Sequence, residues 1–494
     1  MNNQQCTPYM GTPYMGTPYM GTPYMGWNSY DYYCTEVSET EVLANARVMA
    51  EKLKPFGWEY VVIDISWYEK AAGSRSREFQ YLPFAKLYMD EYSRLIPDPE
   101  RFPSSVGTDE EGKPVCLGFK PLADQIHAMG LKFGIHIMRG IPRLAAHGHM
   151  PVLLGETAGS TAGEAAATTT GETAAAAMAA ATAAAAEAAD NAVPATIDAA
   201  EIADPSSICS WNPYMYGLRV NHPQAQAYYD SIMKLYASWG VDYIKCDDIC
   251  REDAPGAHAE IAMLHKAIEN CGRDIVLSLS PGPAKITEAE HYAANANLWR
   301  ITDDFWDTWP LLKEMFRRAE LWQGKATPGH YPDFDMLPVG IIGGRFGNKK
   351  ERRTGFSEEE LRTMMSLWCI FGAPLMMGGE LTKLDAFSLD LLTRKEVLAM
   401  LPLGLHARQL KRNSEEAVWA SMDPEKGTCY LALFNLSDEE RAMNFWTAEL
   451  AAQGLYSQSV TSYTELWSGR EGLSAGGAIA ETVPAHGVRL IRIG

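Results

Sequence analysis

The sequence predicts a (β/α)8 barrel followed by a smaller antiparallel β domain. Three observations lead to this fold class. A chain of 494 residues is too long for one small core. Segments with helical spacing alternate with short apolar runs over most of the chain, which is typical of a parallel sheet with helical crossovers. After about residue 405 the pattern changes to short strand-like runs separated by turn residues, which indicates an antiparallel domain.

The chain begins with four copies of TPYMG between Thr7 and Gly26. A five-residue repeat with a proline in each unit excludes a helix, and it is too short for a solenoid. We interpret the repeats as duplications of one TPYMG, of which only the last belongs to the fold. Residues 1–21 are therefore expected to form a disordered leader, and the barrel is expected to begin at residue 22.

The helix and strand units follow in order along the chain. The first helical segment, residues 38–53, has an acidic first turn and precedes a buried strand at 59–65. Later strands are expected at 131–138, 241–247, 274–280, 298–302 and 367–377. About eight such units favour closure into a (β/α)8, or TIM, barrel. A doubly wound open sheet is the alternative, but no GxGxxG motif follows the first strand.

Between about residues 156 and 200, the composition shifts to alanine, threonine, glycine and glutamate. A segment with almost no large side chains cannot bury a core, so we interpret it as an insertion in a surface loop of the barrel domain, residues 22–404. The insertion follows the end of the third strand. There it would cover the mouth of the barrel or extend toward a neighbouring subunit, so both a monomer and a homo-oligomer are compatible with the sequence. Residues 405–494 are expected to form an antiparallel β-sandwich.

The composition excludes several classes of partner. The chain carries 62 acidic and 43 basic residues, a formal charge of −19, which argues against nucleic acid or an anionic membrane. A neutral small molecule or oligosaccharide fits better. Nine cysteines without close CxxC pairs predict neither a disulfide framework nor a zinc site. Neither a signal peptide nor a membrane span is recognisable, so the expectation is a soluble, cytoplasmic protein.

The stretch YIKCDDIC, residues 243–250, places two aspartates where an apolar run ends. Alternate residues of a barrel strand face the axis and the outer helices, and the apolar residues here suit the helix side. Lys245 and Asp247 therefore share the inner face, at the strand end where barrel active sites are built. Asp248 has the opposite parity and is expected to serve the following loop. Lys245 would hold Asp247 ionised, as a nucleophile requires.

The same parity points Arg300 and Asp304 inward from LWRITDDFWD, and Asp64 inward from EYVVIDI. Three tryptophans add apolar surface near these strand ends: Trp27, Trp67 and Trp306. Carboxylates and cations suit sugar hydroxyls, and indoles suit the apolar face of the ring. Two carboxylates that flank a bond to a neutral polyol indicate glycoside hydrolysis, with one as nucleophile and the other as acid and then base.

Other interpretations remain open on these residues alone. An aspartate pair at a strand end often only caps a helix or serves a loop. A Mg²⁺ site of Asp64, Asp247 and Asp304 is disfavoured because hard-cation sites seldom place Lys and Arg beside each ligand. His136 has no partner at metal-ligand spacing, so we predict no metal site. A non-catalytic glycan-binding barrel would bind sugar without hydrolysing it, and a metal-dependent barrel enzyme would lose activity in EDTA.

Seven motifs between residue 22 and about residue 400 resemble glycoside hydrolase family 27, the family of α-galactosidases and α-N-acetylgalactosaminidases. In family order they are MGWNSYDYY, YVVIDISWYE, GLKFGIHI, YIKCDD, WRITDDFWD, HYPDFDMLPVG and FGAPLMMGGEL. The resemblance implies an exo-acting, α-galactosidase-type enzyme that hydrolyses with retention by double displacement and needs no cofactor. It matches Asp247 to the nucleophile and Asp304 to the acid/base.

The resemblance also implies a set of substrate-binding positions. These are Trp27, Asp64, Trp67, His136, Lys245, Ser280 and Arg300. Asp64 and Lys245 match residues that hold ring hydroxyls, and Ser280 lies near the position that senses the substituent at C2, so an α-N-acetylgalactosaminidase stays open. His136 stands where many relatives have tyrosine.

One departure from the family pattern bears on the sugar. Many members have a second acid after the one that matches Asp64, and here that residue is Ile65. This side of the pocket meets the C4 to C6 edge of the sugar in the family. A β-L-arabinopyranoside resembles galactose without C6, so it is the alternative substrate.

Overall fold

The structure, a computed structural model of the chain, describes residues 21–70, 72, 81, 85–155, 195–251, 256–345 and 350–494. The predicted leader apart from Gly21, and residues 156–194 of the predicted insertion, lie outside the described residues.

Eight parallel strands form the main sheet. They are β1 (Met25–Asn28), β2 (Tyr60–Ile63), β3 (Lys132–Met138), β4 (Tyr243–Asp247), β5 (Val276–Leu279), β6 (Leu298–Arg300), β7 (Tyr331–Asp333) and β8 (Leu375–Met377). Each strand from β1 to β6 pairs with the next one along the chain, and β8 pairs with β1. A parallel bridge between Leu337, shortly after β7, and Met377 in β8 closes the ring. The predicted (β/α)8 barrel is confirmed.

A helix follows each barrel strand. The helices are α1 (Glu39–Val48), α2 (Lys120–Ala128), α3 (Gln226–Ser238), α4 (Ala257–Asn270), α5 (Ala289–Asn295), α6 (Trp309–Trp322), α7 (Glu358–Phe371) and α8 (Ala386–Thr393). Shorter helices lie at Tyr30–Tyr33, Arg143–His147, Ala199–Ile202, Lys395–Leu398 and Ala448–Ala452. Capping boxes fix the starts of α1 and α7 because a serine and a glutamate satisfy each other's backbone N–H groups. Within the described residues, no helix combines the length and apolar character that a bilayer crossing requires.

The apolar run at 367–377, predicted as one strand, is divided between two elements. Its first part belongs to α7, which ends at Gly372 with a left-handed φ of 78°. Only Leu375–Met377 lies in the sheet. A continuous apolar run does not distinguish a buried helix from a buried strand, which is why this prediction was wrong.

The long connection between β3 and α3 carries its own small sheets. Strands at Ile141–Pro142, Ala203–Ile208 and Met215–Leu218 form one, and Pro151–Leu153 pairs with Thr196–Asp198 in another. The side chain of Ile197 is buried. Residues 195–200, which were predicted to belong to the insertion, therefore pack as part of this substructure.

The C-terminal part is antiparallel, as predicted. Its strands are β9 (Arg408–Arg412), β10 (Glu416–Asp423), β11 (Thr428–Asn435), β12 (Arg441–Trp446), β13 (Ser462–Glu465), β14 (Glu471–Leu473), β15 (Ala478–Val483) and β16 (Val488–Ile493). A six-stranded sheet in the order β9-β10-β11-β16-β13-β14 faces the β12-β15 pair. Apolar side chains of both sheets, including Leu431 and Phe445, form a shared core, so the domain is a sandwich.

Candidate active site

The carboxyl ends of the barrel strands surround one cavity. Its lining residues are Asn28, Tyr243, Lys245, Ser278, Ser280, Arg300, Asp333, Asp335, Met336 and Met376. Inward-facing apolar side chains, among them Val62 and Leu298, form a small cluster inside the barrel, and three of its members, Tyr243, Met336 and Met376, also line the cavity. Charged side chains thus occupy the strand ends above an apolar layer, which is the arrangement expected for the active-site end of such a barrel.

Asp247, the last residue of β4, is buried, and both of its carboxylate oxygens are engaged. Its Oδ2 lies 2.8 Å from Nε2 of His136. Its Oδ1 accepts a hydrogen bond from the hydroxyl of Ser280. Burial alone would raise the pKa of Asp247, but Lys245, His136 and Arg300 together hold it far below the usual aspartate range. Asp247 is therefore an ionised carboxylate whose side chain is 12% exposed.

Lys245 makes its direct ion pair with Asp64. The two groups lie 2.8 Å apart, and Nδ2 of Asn28 donates to the same oxygen of Asp64 at 2.8 Å. Burial opposes the charge of Lys245, but Asp64 and Asp247 raise its pKa above the usual value. Burial likewise opposes the charge of Asp64, and Lys245 outweighs it and lowers the pKa. Both groups are thus held charged at the pocket wall.

Arg300 joins a second pair of carboxylates. Its guanidinium donates to Oδ1 of Asp304 at 2.7 Å and to Oδ1 of Asp335 at 3.2 Å. The Asp304 side chain is 59% exposed, whereas Asp335 is 6% exposed. Asp304 is therefore the acid at the open side of the site, where a leaving group and water can reach it.

The two aspartates of YIKCDD have separate environments. Asp248 turns away from the pocket with a left-handed φ of 62°. Its carboxylate pairs with the buried Arg139 at 2.9 Å, and Nε of Arg139 donates to its carbonyl at 2.8 Å. The backbone N–H of Arg139 also donates to the carbonyl of Asp247 at 3.0 Å. Asp248 and Arg139 thus anchor the end of β4, in agreement with the strand parity.

Two of the predicted aromatic contacts do not line the pocket. Trp27 is fully buried, its indole N–H donates to the carbonyl of Gly379, and it belongs to the large core on the helix side. Trp67 is also fully buried and packs edge-on against aromatic rings that include Phe119. Strand parity explains Trp27, because its neighbour Asn28 is the residue that faces the cavity.

The structure adds residues that the sequence patterns did not identify. The ring of Tyr30, directly after β1, has Lys245 Nζ 5.8 Å from its centroid and so forms an aromatic wall of the site. Asp333 is the last residue of β7, which is three residues long and contains Pro332, and Asp335 follows this strand. The alternation of acids in YPDFD was the available signal, but so short a strand has no recognisable apolar pattern.

Asp333 is a buried acid beneath the charged groups. Burial, reinforced by the charge of Asp335, raises the pKa of Asp333 to about 7, although Arg300 and Lys245 oppose the shift. A folded-state pKa above the unfolded value means that folding retains a proton. The associated stability is fully present below about pH 4 and is lost as the pH rises through about 7.

The stability of the Asp333→Asn variant, relative to that of the wild type, should therefore increase as the pH rises. The wild type should lose about 2 to 3 kcal/mol through this group between pH 5 and pH 8, and the asparagine variant should not. Urea unfolding of both proteins at the two pH values measures the difference. The Glu110→Gln variant, at an exposed position, is the control. If the difference in unfolding free energy between the wild type and Asp333→Asn were the same at both pH values, the raised pKa of Asp333 would be contradicted.

Within the described part of the chain, no group of three or more His, Cys, Asp and Glu side chains is placed to hold a metal ion. What the site does contain is a buried ionised carboxylate, an exposed carboxyl group and one arginine close to both. Such a set can supply a nucleophile and a separate proton donor for substitution at an anomeric carbon.

Comparison with known proteins agrees with this chemistry. The family described as "Alpha galactosidase A" matches residues 217–401, and "Alpha galactosidase C-terminal beta sandwich domain" matches residues 414–493. The crystal structure of a GH27 β-L-arabinopyranosidase from Geobacillus stearothermophilus has a TM-score of 0.80 and 43% identity, and 96% of each chain is covered.

Curated relatives are more distant. Alpha-galactosidase 2 of Arabidopsis thaliana is 24% identical over 445 residues, covering 89% of this chain and 81% of that protein. The alpha-N-acetylgalactosaminidase of Gallus gallus is 24% identical over 457 residues, covering 90% of this chain and 83% of that protein. Since both domains match in chain order and a solved GH27 enzyme is 43% identical over nearly its whole length, the chain belongs to glycoside hydrolase family 27, the α-galactosidase family.

Proposed function

We propose that this glycoside hydrolase releases terminal sugars of galactose configuration with retention, and that it prefers β-L-arabinopyranosides to α-D-galactosides. Asp247 attacks the anomeric carbon while Asp304 protonates the oxygen of the leaving group, and a glycosyl ester of Asp247 forms. Asp304, now a carboxylate, deprotonates a water molecule that hydrolyses this ester. Each step inverts the anomeric centre, so the released sugar has the configuration of the substrate.

The environments of the two acids support these roles. A nucleophile must stay ionised, and the cations around Asp247 favour its charged form. An acid/base must reach both the leaving group and water, and Asp304 is the exposed member of the set. In this structure Oδ1 of Asp304 accepts a hydrogen bond from Arg300 at 2.7 Å.

The preference for the pentose rests on Ile65. Oδ2 of Asp64 already accepts from Lys245 and Asn28, and its Oδ1 accepts from the backbone N–H of Ile65 at 2.8 Å. The adjacent Ile65 is buried in the same large core as Trp27, so this position lacks the second acid that the family resemblance implies for many members and that could accept from a C6 hydroxyl. A C6 hydroxyl left without a partner costs about 1 to 3 kcal/mol, and a pentopyranoside lacks that group.

The activities of two similar proteins support the two candidate substrates. The Geobacillus stearothermophilus enzyme, at 43% identity, is a β-L-arabinopyranosidase. The Arabidopsis thaliana relative, at 24% identity, is an α-galactosidase. Galactosidase activity is therefore the second candidate, and the two substrates share every ring hydroxyl, so one enzyme can hydrolyse both.

A panel of 4-nitrophenyl glycosides tests the preference. We expect kcat/KM for the β-L-arabinopyranoside to exceed that for the α-D-galactoside by about tenfold or more, as an unpaired hydroxyl predicts. Ile65→Asp should shift the ratio by about tenfold toward the galactoside, and Ile65→Val, which adds no polar group, should leave it unchanged. A wild-type enzyme that favours the α-D-galactoside, or the α-N-acetylgalactosaminide, would refute the preference.

A further inference from the structure

We propose that His136 is a positioning residue for the nucleophile: as a neutral imidazole with its proton on Nε2, it fixes the orientation of the Asp247 carboxylate and does not bind the sugar. This inference rests on the proposed role of Asp247 as nucleophile. It is independent of which sugar the enzyme prefers.

The neighbouring strand holds the imidazole in place. Strands β3 and β4 pair in parallel with His136 opposite Lys245 and Met138 opposite Asp247. From this position Nε2 of His136 lies 2.8 Å from Oδ2 of Asp247. The ring is fully buried, and the indole N–H of Trp67 donates to the carbonyl of His136 at 2.7 Å. The imidazole is thus fixed by its strand and has no exposed surface for a sugar.

The hydrogen bond between His136 and Asp247 indicates which ring nitrogen of His136 carries the proton. An ionised Asp247 only accepts hydrogen bonds, so Nε2 of His136 must carry the proton that joins them. Nδ1 of His136 is buried and has no hydrogen-bond partner within the described residues. A second proton on Nδ1 would therefore be a buried donor without an acceptor, and Lys245 and Arg300 already supply the positive charge that Asp247 needs. The arrangement selects the neutral tautomer with Nε2–H.

A neutral donor suits a nucleophile better than a charged one. It holds one carboxylate oxygen in a defined direction without cancelling the negative charge that attacks the anomeric carbon. Ser280 donates to the other oxygen, so Asp247 is oriented from two adjacent strand ends. Since His136 acts on Asp247, its loss should lower kcat and leave substrate binding nearly unchanged.

Two amide substitutions separate orientation from general packing. The amide nitrogen of His136→Gln reaches the position of Nε2 and keeps a neutral donor, whereas His136→Asn is one methylene shorter and places the same group near Nδ1. With the fastest aryl glycoside of the panel, His136→Gln should keep kcat within about threefold, and His136→Asn should lose about 10- to 100-fold in kcat with little change in KM. A large rise in KM at unchanged kcat, or equal losses in both variants, would overturn the proposal.

The tautomer is measurable in the wild-type enzyme, without any variant that might misfold. A two-bond ¹H–¹⁵N correlation spectrum of ¹⁵N-histidine-labelled protein reports the protonation of each ring nitrogen, and the signals of His136 are those missing from His136→Gln. We expect Nε2 protonated and Nδ1 bare. A proton on Nδ1, alone or on both nitrogens, would overturn the assignment. Neither the kinetics of the His136 variants nor the tautomer depends on which sugar the enzyme prefers. If Asp247 were not the nucleophile, the Asp247 variants described below would show it.

Discussion

Asp247→Gly should reduce kcat/KM for an aryl glycoside by at least about 10⁴-fold, since it removes the atom that forms the covalent intermediate. Lys245, Arg300 and Asp304 all remain in this variant, so the loss measures the missing nucleophile. Azide should partly restore turnover because a small anion fits the vacated space. The product should be a glycosyl azide of inverted configuration, since only one displacement then occurs. Kinetics with and without azide, and NMR of the product, measure both effects.

The adjacent aspartate provides a matched control for this experiment. Asp247→Asn and Asp248→Asn are the same substitution at neighbouring positions of opposite parity. Asp248→Asn keeps an oxygen for Arg139, which lies 2.9 Å from the native carboxylate, and should retain activity within about tenfold. Near-normal turnover by Asp247→Asn would contradict the assignment of the nucleophile.

Asp304→Ala should impair hydrolysis to an extent that depends on the leaving group. A leaving group of high pKa, such as an alkyl alcohol or a sugar, needs the proton, and its kcat/KM should fall by about 10² to 10⁴-fold. A 2,4-dinitrophenyl glycoside departs without a proton, so its first step should be nearly unaffected. Azide should then accelerate turnover and give a glycosyl azide of retained configuration, because Asp247 is still present.

Asp303 is the matched control for Asp304. It is the neighbouring exposed aspartate, and its carboxylate pairs with Arg251 at 2.9 Å. Asp303→Asn keeps an oxygen for the backbone N–H of Asp304, which donates to Asp303 at 3.0 Å, and should leave both classes of substrate nearly unchanged. Equal losses for good and poor leaving groups in Asp304→Ala would show that this residue does not deliver the proton.

Strand parity predicted the charged part of the site because it depends only on the period of a β-strand. Once β4 was recognised, Lys245 and Asp247 had to face the axis, and Asp248 had to face away. The structure shows this arrangement through the contact of Lys245 with Asp64 and of Asp248 with Arg139. The orientation of residues on strands with a clear apolar pattern could therefore be predicted from the sequence.

The remaining parts of the site depend on contacts that one strand does not encode. Trp27 was expected at the sugar because indoles bind sugar faces, but its parity places it in the core on the helix side. The contact of His136 with Asp247 depends on the register between β3 and β4, which no local pattern specifies. Asp335 follows β7, a strand too short to recognise. The apolar run at 367–377 was divided by Gly372, where a helix ends and the chain turns into β8.

Covalent trapping tests the central claim most directly. A 2-deoxy-2-fluoro glycoside with a good leaving group should inactivate the enzyme, because the fluorine slows both steps and the good leaving group accelerates only the formation of the intermediate. Mass spectrometry of the intact chain should show one added glycosyl unit, and peptide mapping should locate it on Asp247. A label on another residue would contradict the assignment of the nucleophile. An enzyme that carries no label and releases a sugar of inverted configuration would contradict the retaining mechanism.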